Sequence, residues 1–120
     1  MHSETVETIR QKLKTSFAVV ALVNGDVAGC VFYQPEPTHV YLGRLSVLPR
    51  YRGRGVGRAL IDYVEARART LGIPRVQIGV RLSLADIQAY YHRLGYRVVR
   101  HAAHEGYTRP TSVVMEKELA

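Results

Sequence analysis

The side chains with most chemical potential are concentrated in Val47-Leu48-Pro49-Arg50-Tyr51-Arg52-Gly53-Arg54-Gly55-Val56-Gly57-Arg58-Ala59-Leu60. A β-rich run ends at Pro49, arginines alternate with three glycines, and a helical apolar pattern starts at Val56. Glycines let the main chain approach an anion closely and turn successive N–H groups toward it. The opening turn of a helix adds orphan N–H groups and the positive end of its dipole. Arg52, Arg54 and Arg58 add charge-assisted hydrogen bonds to phosphate oxygens. The chemistry implied is capture of a compact diphosphate by Gly53, Gly55, Gly57, Val56 and the arginines among them.

Spacing separates three cradles of this kind. A P-loop needs a lysine directly after its last glycine, and no lysine occurs between Lys14 and Lys117. A dinucleotide fingerprint fits Gly53 and Gly55 but meets Arg58 at its third glycine, and Arg75 lies where the ribose-binding acid is expected. The third pattern, Arg/Gln-x-x-Gly-x-Gly/Ala, is met by Arg52, Gly55 and Gly57.

A second chemistry-bearing run is Tyr90-Tyr91-His92-Arg93-Leu94-Gly95-Tyr96. A phenol is neutral at pH 7 and can donate a proton to a developing anion. On spacing alone Tyr91 shares a helical stripe with Leu84, Ile87 and Leu94 and reads as a core aromatic. Candidate bases are Glu36, His39, His101, His104 and Glu105, each of which reads first as solvated surface. The histidines lack zinc-site spacing with any cysteine, so no metal is expected. Cys30 is the only cysteine, which excludes an internal disulfide and reads as a small core residue.

The elements that must position these groups follow from periodicity. Ser3 to about Lys14 has Val6, Ile9 and Leu13 at helical spacing, with Ser3 as a cap, and predicts a helix. Phe17–Val23 and Val27–Gln34 predict a hairpin through Asn24-Gly25, the strongest short turn signal. Val40–Leu48 predicts a central strand. Val56 to about Leu71 predicts a helix with Val56, Leu60, Tyr63, Val64 and Leu71 inward, stopped by Gly72 and Pro74. Arg75–Val80 predicts a strand parallel to Val40–Leu48 through a right-handed crossover. Ser83–Leu94 predicts a helix capped by a Ser83–Asp86 pair, with Gly95 beyond its end. Tyr96–His101 and Thr111–Leu119 predict closing strands. The fold class is α/β with a mixed sheet, one domain over 1–120.

Composition and charge set the outer limits. At 120 residues, 47% apolar and 22% charged, the chain is an ordinary globular domain, not a disordered tail or fibre. The longest apolar run, Phe17–Val23, is far short of the ~20 residues of a membrane span, so no membrane partner is expected. With no basic, apolar leader in MHSETVETIRQ, the expected location is a reducing cytoplasm. The net charge is +7, and no acid interrupts the chain between Glu36 and Asp62. A focused positive field calls for an anionic partner. The basic cluster lies on a turn that opens a helix, not on an aromatic strand face, which argues for a diphosphate over nucleic acid.

The two motifs together, in this order and separation, resemble the GNAT family of acetyl-CoA-dependent N-acyltransferases over roughly residues 16–119. The resemblance implies the GNAT-like acyl-CoA N-acyltransferase fold with a short N-terminal region. It also implies an enzyme that moves an acetyl group from acetyl-CoA to a primary amine on a small molecule or polypeptide. By the same resemblance, the backbone of Leu45, Ser46 and Val47 pairs with the pantetheine arm, and the Val47 N–H polarises the thioester carbonyl. Gly53 through Arg58 wrap the diphosphate, and Tyr91 protonates the departing thiolate. Leu84 stands where the family often has asparagine. One helix before the first hairpin, where the family has a strand and two helices, leaves the acceptor pocket open, completed by a second copy in a homodimer, or simply less selective. The alternative is a non-catalytic basic module that binds nucleic acid or acyl-CoA.

Overall fold

The computed structural model describes residues 6–103, 106 and 109–119. One seven-stranded sheet runs in the order β1-β2-β3-β4-β5-β7-β6. Its strands are β1 (Val6–Leu13), β2 (Ser16–Val23), β3 (Asp26–Pro35), β4 (Val40–Val47), β5 (Arg75–Arg81), β6 (Arg97–Ala102) and β7 (Ser112–Glu118). Helix α1 (Val56–Thr70) links β4 to β5, and α2 (Ala85–Arg93) links β5 to β6. Only β4 and β5 are parallel, as the strand-helix-strand pattern predicts. The mixed α/β architecture and the central place of β4 match expectation.

The N-terminal segment does not. Residues 6–13 form β1, paired with β2 from Val6↔Val23 to Leu13↔Ser16. All eight of its residues are exposed, so hydrogen bonds to β2 rather than a buried helical stripe hold it. The helical spacing of Val6, Ile9 and Leu13 is overridden because β2 would otherwise present an unpaired edge. Ser3 and Glu4 of the expected cap lie outside the described residues.

The core lies between the sheet and its two helices. Val19, Ala21, Val31, Tyr33, Val40 and Leu42 face Leu60, Ile61, Val64 and Ala68 of α1. The inward stripe of α1 therefore runs through Ile61 and Ala68, whereas Leu71 is exposed. Glu65 is buried in the same stripe, accepting hydrogen bonds from the Tyr96 hydroxyl at 2.9 Å and Lys117 Nζ at 3.0 Å. The alternate positions Ala18, Val20, Cys30 and Phe32 point the other way and stay half-exposed on a face that neither helix covers.

Turn chemistry follows local rules where the residues are specific. Asn24 and Gly25 both take positive φ, 51° and 86°, as a type I′ hairpin requires. Gly95 ends α2 at φ 99°. The Ser83–Asp86 cap does not form: Leu84 is the N-cap, and no side chain caps α2.

Two distortions of the sheet create the site. Phe32 pairs with Gly43 while Cys30 pairs with Ser46, so β4 carries one extra residue there. Arg44 sits in that bulge at φ 55°. The bulge switches the alternation, turning Leu45 and Val47 toward the helices although Leu42 already faces them. The second distortion is a parting of strands. β4 and β5 pair only at Val40↔Val76, Tyr41↔Gln77 and Leu42↔Ile78. Beyond that point β5 stays with β7 to Arg81↔Ser112 while β4 stays with β3 to Val47↔Gly29, so the strands diverge.

Candidate active site

The turn between β4 and α1 walls a cleft of about 520 Å³. Eight of the ten predicted binding residues line it: Leu45, Val47, Arg52, Gly53, Gly55, Val56, Gly57 and Arg58. Tyr51 joins them, and Ile87 and Tyr90 close the cleft from α2. Ser46 and Arg54 are not on its wall. Ser46 alternates to the opposite side of β4, and Arg54 lies over the Tyr51 ring at 5.7 Å.

Local geometry explains why this turn is shaped for an anion. Gly53 and Gly55 take φ of 77° and 81°, and a Cβ at either would meet nothing within 4 Å. Open space above a glycine backbone is what a close-approaching ligand fills. Gly55 is the N-cap of α1, no side chain caps the helix, and its first turn holds no acid. The N–H groups and positive dipole end therefore face the cleft without a protein counter-charge. Tyr51 is buried and carries Arg50 at 4.9 Å as well as Arg54, which anchors the arginine-rich turn by cation–π contact. Arg52 Nε donates back to the Val47 carbonyl at 3.3 Å. Arg58 is bonded at 3.0 Å to Asp62, whose hydrogen bond and charge push the guanidinium pKa up. A diphosphate fits this donor set.

The parting of β4 and β5 makes a second cleft of about 510 Å³. Leu42, Gly43, Arg44 and Leu45 form one wall, Ile78 to Arg81 the other, and Leu84, Ile87 and Tyr91 the side toward α2. Leu84 and Ile87 are exposed and line the clefts, whereas Tyr91 on the same stripe packs into the core. Leu45 and Ile87 line both clefts, so the turn and the wedge lie side by side.

Tyr91 sits in the wedge and is 6% exposed. Its ring meets Tyr96 edge-on at 5.6 Å and Tyr90 at 5.5 Å. Burial, with Tyr90 beside it, pushes the Tyr91 hydroxyl up to about 12. It is therefore fully protonated at physiological pH, as a proton donor must be. Tyr91 packs in the core cluster and also borders the cleft.

Among the described residues no carboxylate or histidine lines either cleft. Glu36 and His39 lie in the β3–β4 loop, at the paired end of β4. Gln34 Nε2 donates to Glu36 at 2.7 Å, and His39 Nδ1 shares a hydrogen bond with Thr38 Oγ1 at 3.0 Å. His101 is exposed on β6, the sheet edge. His104 and Glu105 lie outside the described residues. Cys30 is half-buried in β3, opposite Val20 and Ser46. Among the described residues no three His, Cys, Asp or Glu side chains gather as a metal site, and no helix is long and apolar enough to cross a membrane.

Sequence reasoning overlooked Ile87 and Tyr90 in the turn cleft and Gly43, Arg44, Gly79 and Arg81 in the wedge. An isolated glycine inside a strand signals a bulge or a close approach, and that signal was present at Gly43 and Gly79.

Comparison with known proteins gives the same picture. The profile of the acetyltransferase (GNAT) family matches residues 2–96. A Klebsiella pneumoniae protein of the acyl-CoA N-acyltransferase type superposes with a TM-score of 0.77 at 22% identity, covering 98% of each chain. The ribosomal-protein-S18-alanine N-acetyltransferase of Escherichia coli gives 0.75 at 22% identity, covering 91% of this chain and 72% of its own. A GNAT acetyltransferase from Elizabethkingia anophelis, solved with acetyl-CoA bound, gives 0.75 at 18% identity, covering 88% and 77%. With the family profile spanning most of the sequence and the fold shared throughout, the chain belongs to the GNAT family of acetyltransferases, enzymes that use acetyl-CoA as acyl donor.

Proposed function

We propose that this enzyme transfers acetyl from acetyl-CoA to a primary amine by direct attack, with Tyr91 as general acid. The observation that carries the reading is the adjacency of the two clefts, which share Leu45 and Ile87 in their walls. An extended donor laid across both would run from the anion-binding turn to the Tyr91 side of the wedge. Arg52, Arg58 and the N–H groups of residues 53–58 hold the diphosphate, with Arg54 adding to the field. The strand Leu45-Ser46-Val47 offers backbone groups to the pantetheine arm, and the Val47 N–H polarises the thioester carbonyl.

In the reaction the amine nitrogen bonds to the carbonyl carbon and the C–S bond breaks. The leaving thiolate takes the Tyr91 proton, the amine gives its proton to water, and solvent reprotonates Tyr91. Water is assigned the amine's proton because, among the described residues, no carboxylate or histidine lines the clefts. The single unpaired Cys30 suits a reducing cytoplasm.

The test is thiol release from acetyl-CoA in the presence of an amine panel, with the acetylated product identified by mass spectrometry. Acceptor-dependent release supports the reading. Tight acetyl-CoA binding with no release for any amine would leave a non-catalytic acyl-CoA-binding module.

A further inference from the structure

The uncovered face of the sheet carries a third recess, of about 370 Å³, at the β4 bulge. Leu13 and Ser16 bound it at the β1–β2 hairpin, Phe32 and Gln34 on β3, and Tyr41 and Arg44 on β4. Gly43 and Arg44 border both this recess and the wedge, so the two open onto the same bulge from opposite faces.

Among the described residues, the only charge on the recess wall is Arg44. Its guanidinium lies over the Phe32 ring at 5.8 Å, and no carboxylate pairs with it among the described residues. Arg44 also holds φ at 55°, a conformation that L-residues adopt only when their surroundings impose it. The wedge beyond adds a second exposed cation, Arg81, and no acid. Glu36 is tied to Gln34 and is not on the recess wall. A polycationic amine would meet positive charge alone here. An amine with its own carboxylate would gain a guanidinium pair, and an apolar body would cover Leu13, Phe32 and Tyr41.

We infer that the acceptor is a small amine bearing a carboxylate and an apolar or aromatic body, and that Arg44 is the residue selecting it. This rests on the acetyl-transfer reading above. Arg44 is a specificity determinant: it holds the carboxylate while the amine reaches through the wedge toward the thioester carbonyl.

The experiment compares L-phenylalanine, phenethylamine (the same body without the carboxylate) and spermidine by thiol release, with acetyl-CoA affinity measured separately by calorimetry. L-Phenylalanine is expected to be preferred. Arg44→Gln should raise its KM about 10- to 100-fold, the scale of a lost hydrogen-bonded charge pair, with kcat and the phenethylamine KM little changed. Arg44→Lys should recover part of the loss. Arg44→Gly tolerates the positive φ and provides the same readout if the glutamine variant does not fold. Preference for spermidine or phenethylamine, or an equal KM rise for all acceptors, overturns the inference and leaves acetyl transfer standing. Acetyl-CoA binding without thiol release for any amine overturns both.

Discussion

Tyr41 and Gly79 meet across the mouth of the wedge: a Cβ placed on Gly79 would lie 3.1 Å from the Tyr41 hydroxyl. The same ring passes over Gly43, where a Cβ would lie 3.1 Å from its edge. One side chain thus spans the point where β4 and β5 part, and it needs a glycine on each strand to lie flat. Gly79→Ala would crowd only the far end of a side chain. It should therefore cost less than about 1 kcal/mol, the low end for overpacking. Tyr41 would nonetheless shift at the border of recess and wedge. Acceptor KM should rise several-fold while acetyl-CoA affinity changes less; steady-state kinetics beside calorimetry would show the reverse order if Tyr41 is remote from the acceptor.

Gly55 and Gly25 make a matched pair. Both hold positive φ, 81° and 86°, and both have open space where a Cβ would project. Alanine at either should cost about 1–2 kcal/mol of left-handed strain. Only Gly55→Ala should also weaken acetyl-CoA binding, because its methyl enters the cleft at the turn before α1, whereas Gly25 is not on that cleft's wall. Calorimetric titration of both variants decides this, and equal affinities would remove the turn from the donor site.

Tyr91→Phe should lower kcat by about 100-fold, the lower range for a general acid, with acetyl-CoA affinity nearly intact. The pH dependence follows from the raised pKa. In the proposed role the phenol acts when protonated, and with its pKa pushed up to about 12 it stays protonated through alkaline assays. Activity should therefore climb as the acceptor amine loses its proton and show no decline up to about pH 10. An alkaline fall centred near pH 9 that disappears in the phenylalanine variant would contradict the burial argument.

Glu65 is a structural test independent of chemistry. It is buried on α1, bonded to Tyr96 and Lys117, and far along the helix from the turn. Glu65→Ala would strand a half-buried ammonium and a buried hydroxyl, at a cost of about 2–4 kcal/mol. Chemical denaturation should show that loss. Acetyl-CoA affinity of the folded fraction should stay unchanged.

What was readable in the chain was local. Gly53 and Gly55 announce the turn because both hold a positive φ, and Asn24-Gly25 and Gly95 announce a hairpin and a helix end for the same reason. The helical spacing of Val6, Ile9 and Leu13 misled because the hydrogen bonds of residues 6–13 are made to β2, a partner outside any short window. Leu84 and Ile87 misled differently. They are apolar in order to line a cleft, and periodicity cannot separate a cleft wall from a core. The bulge at Arg44 was hidden, since arginine gives no sign of positive φ. The parting of β4 and β5 was hidden as well, because it arises from the competing pairing of β5 with β7.

A crystal structure with acetyl-CoA tests the central claim most directly. The diphosphate should rest on the main-chain N–H groups of residues 53–58, with the pantetheine arm between β4 and β5 and the sulfur beside the Tyr91 hydroxyl. A cofactor whose diphosphate binds elsewhere, with the turn before α1 left empty, would contradict the account.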